Sequence, residues 1–185
     1  MVNSTPGYGT LLTNNPGNNG YDTATPGNSL LSFISGNPGS FLSVNNTNYT
    51  MATVGGYFVY IRGDRSAAVS TSTFHPTATT LRTNGLLNIG TQLPVNLPIG
   101  QNVVVGNIYA APIDFARLTK SGITSFKVWD PKLHGTYNIG GYQTFSATNG
   151  YDPIPGGGSY GSRPNSIIES GQAFMANSPG EALYK

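Results

Sequence analysis

The residues in this chain that come nearest to a catalytic motif are a serine set among glycines. Residues 157–161 read Gly-Gly-Ser-Tyr-Gly, which matches the G-x-S-x-G pattern of serine hydrolases with Ser159 as nucleophile. That motif works because a strand-to-helix turn exposes the hydroxyl, whereas the flanking sequence here is rich in Gly and Pro. Hydrolases of that class also place the catalytic His after the Ser, and His75 and His134 both precede it. We therefore expect no catalytic residue and no enzyme activity.

Metal ligands are equally sparse in the sequence. Cys is absent, which excludes thiolate zinc sites and cysteine nucleophiles. Each of the two His residues stands next to a turn-forming residue, so we expect His75 and His134 in turns. Asp130 and Asp152 carry oxygen atoms of the kind that bind calcium, but no Asp-x-Asp-x-Asp spacing is present. We expect no cofactor, with calcium as the open alternative.

Aromatic side chains near a long loop are the stronger functional candidate. Residues 148–166 are dominated by Gly, Pro and polar residues, and loops of that length are commonly functional or mobile. Exposed rings can stack on sugar faces while charged side chains donate and accept hydrogen bonds. The predicted ligand-binding set is Tyr151, Asp152, Tyr160, Arg163 and Trp129, with Tyr137 and Tyr142 as further aromatic residues beside candidate loops. The alternative is that rings within strands, such as Trp129 and Tyr142, belong to the core.

A third short motif is Arg62-Gly63-Asp64, the tripeptide that integrins recognise. It directly follows a strongly hydrophobic run. In the alternative interpretation this is a strand end, where Gly63 permits a turn and Asp64 pairs with Arg62 or Arg65. We favour the strand end, because a short motif needs a structural context to carry function.

Short strands are the elements that must position these residues. In the first third of the chain, Pro-Gly pairs recur every ten to twelve residues and predict turns between strands. Apolar or alternating runs predict strands at 30–34, 41–44, 57–61, 103–105, 126–129, 142–145 and 173–175, with 57–61 buried on both faces.

One short helix of about two turns is expected after Asp114, which would cap it. Arg117 and Lys120 complement its C-terminal end, and Gly122 supplies a left-handed stop. The predicted fold class is therefore all-β: an antiparallel β-sandwich, with a jelly roll as one form of it, carrying one short helix.

Composition restricts the class of protein further. Of 185 residues only 9% are charged, against about 25% in ordinary soluble proteins. Hydrophobic residues at 37% and aromatic residues at 11% exclude a disordered chain. The net charge of +2 comes from scattered residues, so no nucleic-acid partner is expected, and no apolar run of about 20 residues predicts membrane insertion.

The length suits a single β-rich domain spanning 1–185, in which 1–25 form a peripheral N-terminal segment and 148–166 the long loop. The first residues lack the basic start and apolar run of a signal peptide. We therefore expect an internal part of a longer chain if the protein is exported.

Three blocks, taken in order, resemble a known module. Residues 54–66 resemble a "GKGY-hydrophobic-RGDR" block, residues 105–115 a "GNPYPSPIDF" block, and residues 128–132 with 168–174 a "YVWDP … IQSGQAFFV" block. Together they resemble a module of large surface proteins of the Bacteroidetes, which often end in a type IX secretion sorting domain. The resemblance covers roughly residues 25–185, with Ile108 where Pro is usual and Gly56 where Lys or Gln is usual. It implies export to the cell surface and a β-rich accessory or adhesive role, and it carries no catalytic residues.

The sequence thus predicts a non-enzymatic extracellular surface module, serving as an adhesin segment or structural spacer of a larger secreted bacterial protein. Its expected partner is a polysaccharide or another surface protein. The alternative is a carbohydrate-binding module that uses the loop aromatics.

Overall fold

The prediction of an all-β fold is confirmed. A computed structural model describes residues 9–14, 19–22, 27–48, 50–51, 54–66, 77–82, 84–134, 139–177 and 182–183. Its strands pair in antiparallel sheets, as expected of an all-β sandwich. In chain order they are β1 (Leu30–Ile34), β2 (Ser40–Ser43), β3 (Tyr57–Val59), β4 (Val95–Asn96), β5 (Asn102–Gly106), β6 (Ile113–Asp114), β7 (Ser125–Asp130), β8 (Gly141–Ser146), β9 (Ile167–Ile168), β10 (Ala173–Asn177) and β11 (Ala182–Leu183).

The chain divides into two compact units whose segments alternate along the sequence. The first unit comprises Met1–Ser32, Phe41–Ala52 and Tyr57–Leu86. The second comprises Phe33–Ser40, Thr53–Gly56 and Leu87–Lys185. All five residues of the predicted ligand-binding set belong to the second unit.

A four-stranded antiparallel sheet in the order β5-β10-β7-β8 organises the second unit. Successive side chains of a strand point to opposite faces, so every second residue faces the core. In β7, Phe126, Val128 and Asp130 are buried, whereas Lys127 between them is exposed. The β7–β8 pairing places Phe126 opposite Phe145 and Trp129 opposite Tyr142. The sheet therefore has an inner face of Phe and Val and an outer face that carries Trp129.

Aromatic rings fill the core against the inner face. Phe126 stacks on Phe145 with 5.1 Å between ring centroids, and Phe115 lies 4.5 Å from Phe126. Phe174 contributes an edge-to-face contact from β10. The two-stranded ribbon of β6 and β9 covers this core, because Ile113 of β6 and Ile168 of β9 pack into it. Burying rings of this size supplies most of the stabilisation that such a domain gains from its core.

The predicted helix after Asp114 is a single 3-10 turn, Phe115–Arg117, rather than two turns of α-helix. Asp114 caps it as expected, because its carboxylate accepts a hydrogen bond from Ala116 N. Of the two cations predicted at the C-terminal end, Lys120 donates from Nζ to Phe115 O at 2.7 Å, whereas Arg117 pairs with Asp114. Phe115 is fully buried, so packing of its ring against the core stabilises this single turn without the hydrogen bonds of a longer helix.

The first unit is built around a three-stranded sheet in the order β2-β1-β3. Its register pairs Leu30 with Val59 and Leu31 with Phe58. The prediction of a central strand buried on both faces at 57–61 is wrong, because β3 ends at Val59 and stands at the end of this sheet. Tyr60 and Ile61 beyond it are exposed. β-branched and aromatic residues identified a strand there, but they do not distinguish a central strand from an edge.

Within the part of the chain that the structure describes, no helix is long and apolar enough to cross a membrane.

Candidate functional site

The loop between β8 and β9 lies against the sheet instead of standing free. Its residues 150–166 form no strand or helix, yet two buried polar side chains of the sheet hold them. Gln143 is fully buried on the inner face, and its Nε2 donates to Pro155 O at 2.8 Å and to Gly157 O at 3.0 Å. Ile154 adds backbone hydrogen bonds to Thr144 in both directions. The polar residue at an inward position of β8 therefore serves to fasten the loop.

Ser159, the residue of the G-x-S-x-G match, is part of the same attachment. Its Oγ donates to Asp130 Oδ1 at 2.9 Å and its backbone N–H to Asp130 Oδ2 at 2.5 Å. The backbone N–H of Lys132 also donates to Asp130 Oδ1. A serine nucleophile needs a general base such as His to take its proton. Here the Ser159 hydroxyl donates instead to a buried carboxylate, which accepts three hydrogen bonds.

The two loop tyrosines of the predicted set direct their rings toward the core. The Tyr151 ring packs edge-on against Phe115, with 6.3 Å between centroids, and burial raises the pKa of its hydroxyl. The Tyr160 ring contacts Phe145 at 5.1 Å, and its hydroxyl accepts a hydrogen bond from Gln172 Nε2 at 2.7 Å. Burial also raises the Tyr160 pKa, with the charges of Asp130 and Glu169 adding to the effect. Both rings are half-buried packing elements.

Tyr151 has an unusual backbone. Its φ of 64° lies in the left-handed region, which costs a non-glycine residue about 1–2 kcal/mol. Such strained residues cluster at functional sites, and the strain persists only where the surroundings compensate for it. At this position the compensation is the ring contact with Phe115 and the hydrogen bond from Asn165 N to Tyr151 O.

The other three predicted residues do not join the tyrosines in one cluster. Asp152 and Arg163 are exposed on the loop. Trp129 lies on the outer face of the sheet, where its ring contacts Tyr142 edge-on at 5.1 Å. The inward side chains of β7 and the loop tyrosines occupy the opposite face. The structure therefore brings Tyr151 and Tyr160 to the core and separates them from Trp129.

The Arg-Gly-Asp tripeptide of the first unit is engaged in internal contacts. Arg62 donates from NH1 to Thr13 Oγ1 and Ser29 Oγ, and its guanidinium lies 4.4 Å above the Tyr60 ring. Gly63 has a φ of 136°, and a Cβ there would lie 2.3 Å from Thr77 Oγ1.

Asp64, the third residue of the tripeptide, accepts hydrogen bonds from Ser66 and Thr77, which lower its pKa. The predicted partners differ, since Arg65 pairs with Asp22 instead of Asp64. The tripeptide is engaged in internal contacts, as the interpretation favoured from the sequence expected. It is not a strand end, however, because β3 ends at Val59 and Asp64 forms an isolated β-bridge with Thr10.

Sequence analysis did not single out Asn107, a polar side chain of the second unit with several hydrogen bonds. It is buried, and its Nδ2 lies within hydrogen-bonding distance of Ala111 O, Ile168 O and Glu169 O at 2.9–3.1 Å. Its Oδ1 accepts from Tyr109 N, and its backbone pairs with Gln172 and Gly171. Its position in the "GNPYPSPIDF" resemblance was the available signal. Asn107 joins that block to the "IQSGQAFFV" block.

No cluster of three or more His, Cys, Asp or Glu side chains suited to a metal ion occurs among the described residues. His134 is exposed, and His75 and Tyr137 lie outside the described residues. Asp130, one of the two predicted calcium candidates, is committed to Ser159 and Lys132.

The chain was compared with known protein families, curated proteins and solved structures. No protein-family model matches the chain, and neither the curated proteins nor the solved structures include a significant match.

Proposed function

We propose that this chain is a non-enzymatic extracellular module, a structural spacer or adhesin segment of a larger exported bacterial protein. The observation that carries this proposal is that polar side chains in the three blocks that resemble a surface-protein module form internal hydrogen bonds. Six polar side chains of those blocks make hydrogen bonds within their own unit: Arg62, Asp64, Asn107, Asp114, Asp130 and Gln172.

A catalytic site would need some of these groups to face a cleft. Catalytic acids, bases and nucleophiles keep a hydrogen-bonding position open for the substrate. Asp114 instead accepts from Ala116 N and Ser166 Oγ, which joins the 3-10 turn to the chain before β9. Asp130 accepts from Ser159 and Lys132. In this proposal, the blocks that resemble the surface-protein module are the residues that attach loops to the sheet. A fold stabilised in this way can occur in many larger proteins of different function.

The extracellular part of the proposal rests on composition and resemblance. A surface with few charges is kept hydrated by hydroxyl and amide groups, and amides and hydroxyls also donate the hydrogen bonds that attach the loops. The resemblance to surface proteins of the Bacteroidetes supplies the kind of parent, a large protein exported across the cell envelope.

Carbohydrate binding is the second candidate because of one observation. Trp129 and Tyr142 form a half-buried aromatic pair on the outer face of the sheet. This position differs from the loop site expected from the sequence. Rings that are partly exposed on a β-sheet face can stack on a pyranose ring.

Two measurements test the proposal together. Antibodies against the purified chain should label intact cells that produce the parent protein, and external protease should remove the label. The purified chain should show neither saturable binding to a polysaccharide panel, with calcium or with a chelator, nor turnover of chromogenic esters and glycosides.

Three results would overturn it, each in a different direction. A protein found only inside the cell would contradict the extracellular role. Saturable glycan binding that disappears in Trp129→Ala, but persists in Tyr160→Phe, would establish the carbohydrate-binding alternative. Turnover that disappears in Ser159→Ala would establish a hydrolase.

A further inference from the structure

Two aspartates of the second unit, Asp130 and Asp152, are followed directly by proline. An Asp–Pro bond is the peptide bond that dilute acid breaks most easily. The carboxyl group of the aspartate can close a five-membered ring on its own carbonyl carbon, and the tertiary nitrogen of proline leaves readily once it takes up a proton. Such an attack within one residue has the advantage of any intramolecular reaction. Whether an Asp–Pro bond breaks in a folded chain therefore depends on the freedom of the carboxyl group and on the contacts of the carbonyl oxygen.

The carboxylate of Asp130 is held away from this reaction. It is buried, and it accepts hydrogen bonds from Ser159 Oγ, Ser159 N and Lys132 N. Turning the carboxylate onto its own carbonyl carbon would break these bonds and leave partly buried donors without partners, which is unfavourable. We therefore expect the Asp130–Pro131 bond to resist cleavage while the chain is folded.

Asp152 has the opposite surroundings. It is exposed, and its carboxyl group makes no hydrogen bond or ion pair with the described residues, so no contact there holds it away from its own carbonyl carbon. Its carbonyl oxygen accepts a hydrogen bond from Asn149 Nδ2 at 3.0 Å. A donor at this oxygen stabilises the negative charge that develops on it when the carbon is attacked. Asp152 and Asn149 thus supply a nucleophile and a hydrogen-bond donor to the same peptide bond.

We propose that the chain cleaves itself at the Asp152–Pro153 peptide bond in mild acid. The carboxyl group of Asp152 gives its proton to the Pro153 nitrogen while its oxygen bonds to the Asp152 carbonyl carbon, and the C–N bond breaks. The products are a cyclic anhydride at Asp152 and a secondary amine at Pro153. Water, the co-reactant, then opens the anhydride to an ordinary C-terminal aspartate. Each chain reacts once, so the reaction is a processing step and not turnover of a substrate.

The position of the cut in the fold determines its consequence. The cut falls between β8 and β9, so the piece that begins at Pro153 carries β10. That strand lies between β5 and β7 in the four-stranded sheet, and five of its residues pair with β5. The two pieces therefore remain associated as one folded unit, and cleavage releases the start of the long loop from the end of β8.

Acid incubation of the full chain, followed by mass spectrometry under denaturing conditions, tests the proposal. The incubation is run near about pH 4, where Asp carboxyl groups begin to carry protons, at the lowest pH that leaves the Trp129 emission as it is at pH 7. Fragments that meet at Asp152–Pro153 should form at least about ten times faster than fragments that meet at Asp130–Pro131, which is the internal control. In concentrated urea at the same pH, the two rates should agree within about twofold, because the contacts that distinguish the bonds are lost.

Two variants test the roles of the individual groups. Asp152→Glu keeps the charge but requires a six-membered ring, so cleavage at this bond should slow by at least about tenfold. Asn149→Ala removes the donor to the carbonyl oxygen and should slow cleavage of the folded chain by about tenfold, while its rate in urea should match that of the wild type. A variant that merely loosened the loop would not be cut more slowly.

Three results would overturn the proposal. They are the absence of a fragment that begins at Pro153, equal cleavage of the two Asp–Pro bonds in the folded chain, and an Asp152→Glu chain that is cut as fast as the wild type. An Asn149→Ala chain that is cut as fast as the wild type while folded would overturn the assignment of Asn149 as the donor.

Discussion

Replacing Asn107 by Asp tests whether neutral side chains hold the loops of the second unit. The substitution preserves shape and keeps an acceptor for Tyr109 N. It removes the amide donors that face Ala111 O, Ile168 O and Glu169 O. A buried carboxylate would then lie beside three carbonyl oxygens, all of them acceptors. The loop before β6 and the loop after β9 should lose their common attachment.

The expected cost follows from the number of interactions lost. An unsatisfied buried polar group costs about 1–3 kcal/mol, and a buried charge without a partner costs more. The Nδ2 group has two hydrogens for these three acceptors, so about two hydrogen bonds are lost, and the buried carboxylate adds its own cost. Unfolding should therefore become easier by about 3 kcal/mol. For a protein whose stability falls by about 1–3 kcal/mol per molar urea, the midpoint should drop by roughly 1–3 M.

Urea unfolding followed by tryptophan fluorescence gives the measurement. Trp129 is the single tryptophan and lies in the same unit as Asn107, so its emission reports on that unit. Asn165→Asp provides the matched control, because the same isosteric change at an exposed hydrogen bond should cost at most about 0.5 kcal/mol.

Acidification supplies an internal check on the same variant. Burial beside carbonyl oxygens should raise the pKa of the new carboxyl above the unfolded value of about 3.9. A group with a raised folded-state pKa favours folding when protonated, so the deficit relative to wild type should shrink as the pH falls toward about 4. An Asn107→Asp chain as stable as wild type at pH 7, or one whose deficit ignores pH, would refute the assignment of Asn107 as the attachment point.

Two further predictions concern the close approach of the backbone at Gly140 and the half-buried tyrosines. Gly140→Ala should destabilise the second unit by about 2–4 kcal/mol and alter Trp129 emission, since φ is 111° and the Cβ would lie 2.8 Å from Asp130 O. Gly150→Ala, also at positive φ but with open space, should cost only about 1–2 kcal/mol, and equal costs would contradict the steric argument. Burial raises the pKa of Tyr142, Tyr151 and Tyr160, so stability should be complete below about pH 10 and should fall above it as the unfolded chain ionises first. In thermal unfolding between about pH 8 and 11, Tyr160→Phe should lessen this fall, and an unchanged pH profile would count against its burial.

Local sequence patterns predicted the longer strands because each strand carries its own signal. The apolar run at 30–34 coincides with β1, and the alternation in 126–129 lies within β7. The two-residue strands were missed, since their existence depends on a partner far along the chain. β6 is a strand because Ile113 meets Ile168, and β4 because Val95 meets Leu183. No local pattern contains that information.

The site was harder to predict than the fold for a related reason. Tyr151 and Tyr160 occur in a segment so rich in Gly and Pro that an exposed loop was the natural expectation. Whether their rings face solvent or core depends on Asp130 and Gln143, which draw the loop onto the sheet from other strands. A polar residue at an inward position of an alternating strand, as Gln143 is in β8, was the available signal for that contact.

The low charge of the chain and the role of these buried polar residues have a common explanation. A protein with 9% charged residues has few ion pairs with which to secure long loops. The attachments found here are hydrogen bonds from amides and hydroxyls to backbone carbonyls and to the carboxylates of Asp114 and Asp130. Hydrogen bonds whose two partners do not carry opposite charges depend less on ionic strength than exposed ion pairs, which weaken as salt rises. Loops secured in this way suit a module whose ionic surroundings are not controlled by a cell, which is the setting expected of an exported surface protein.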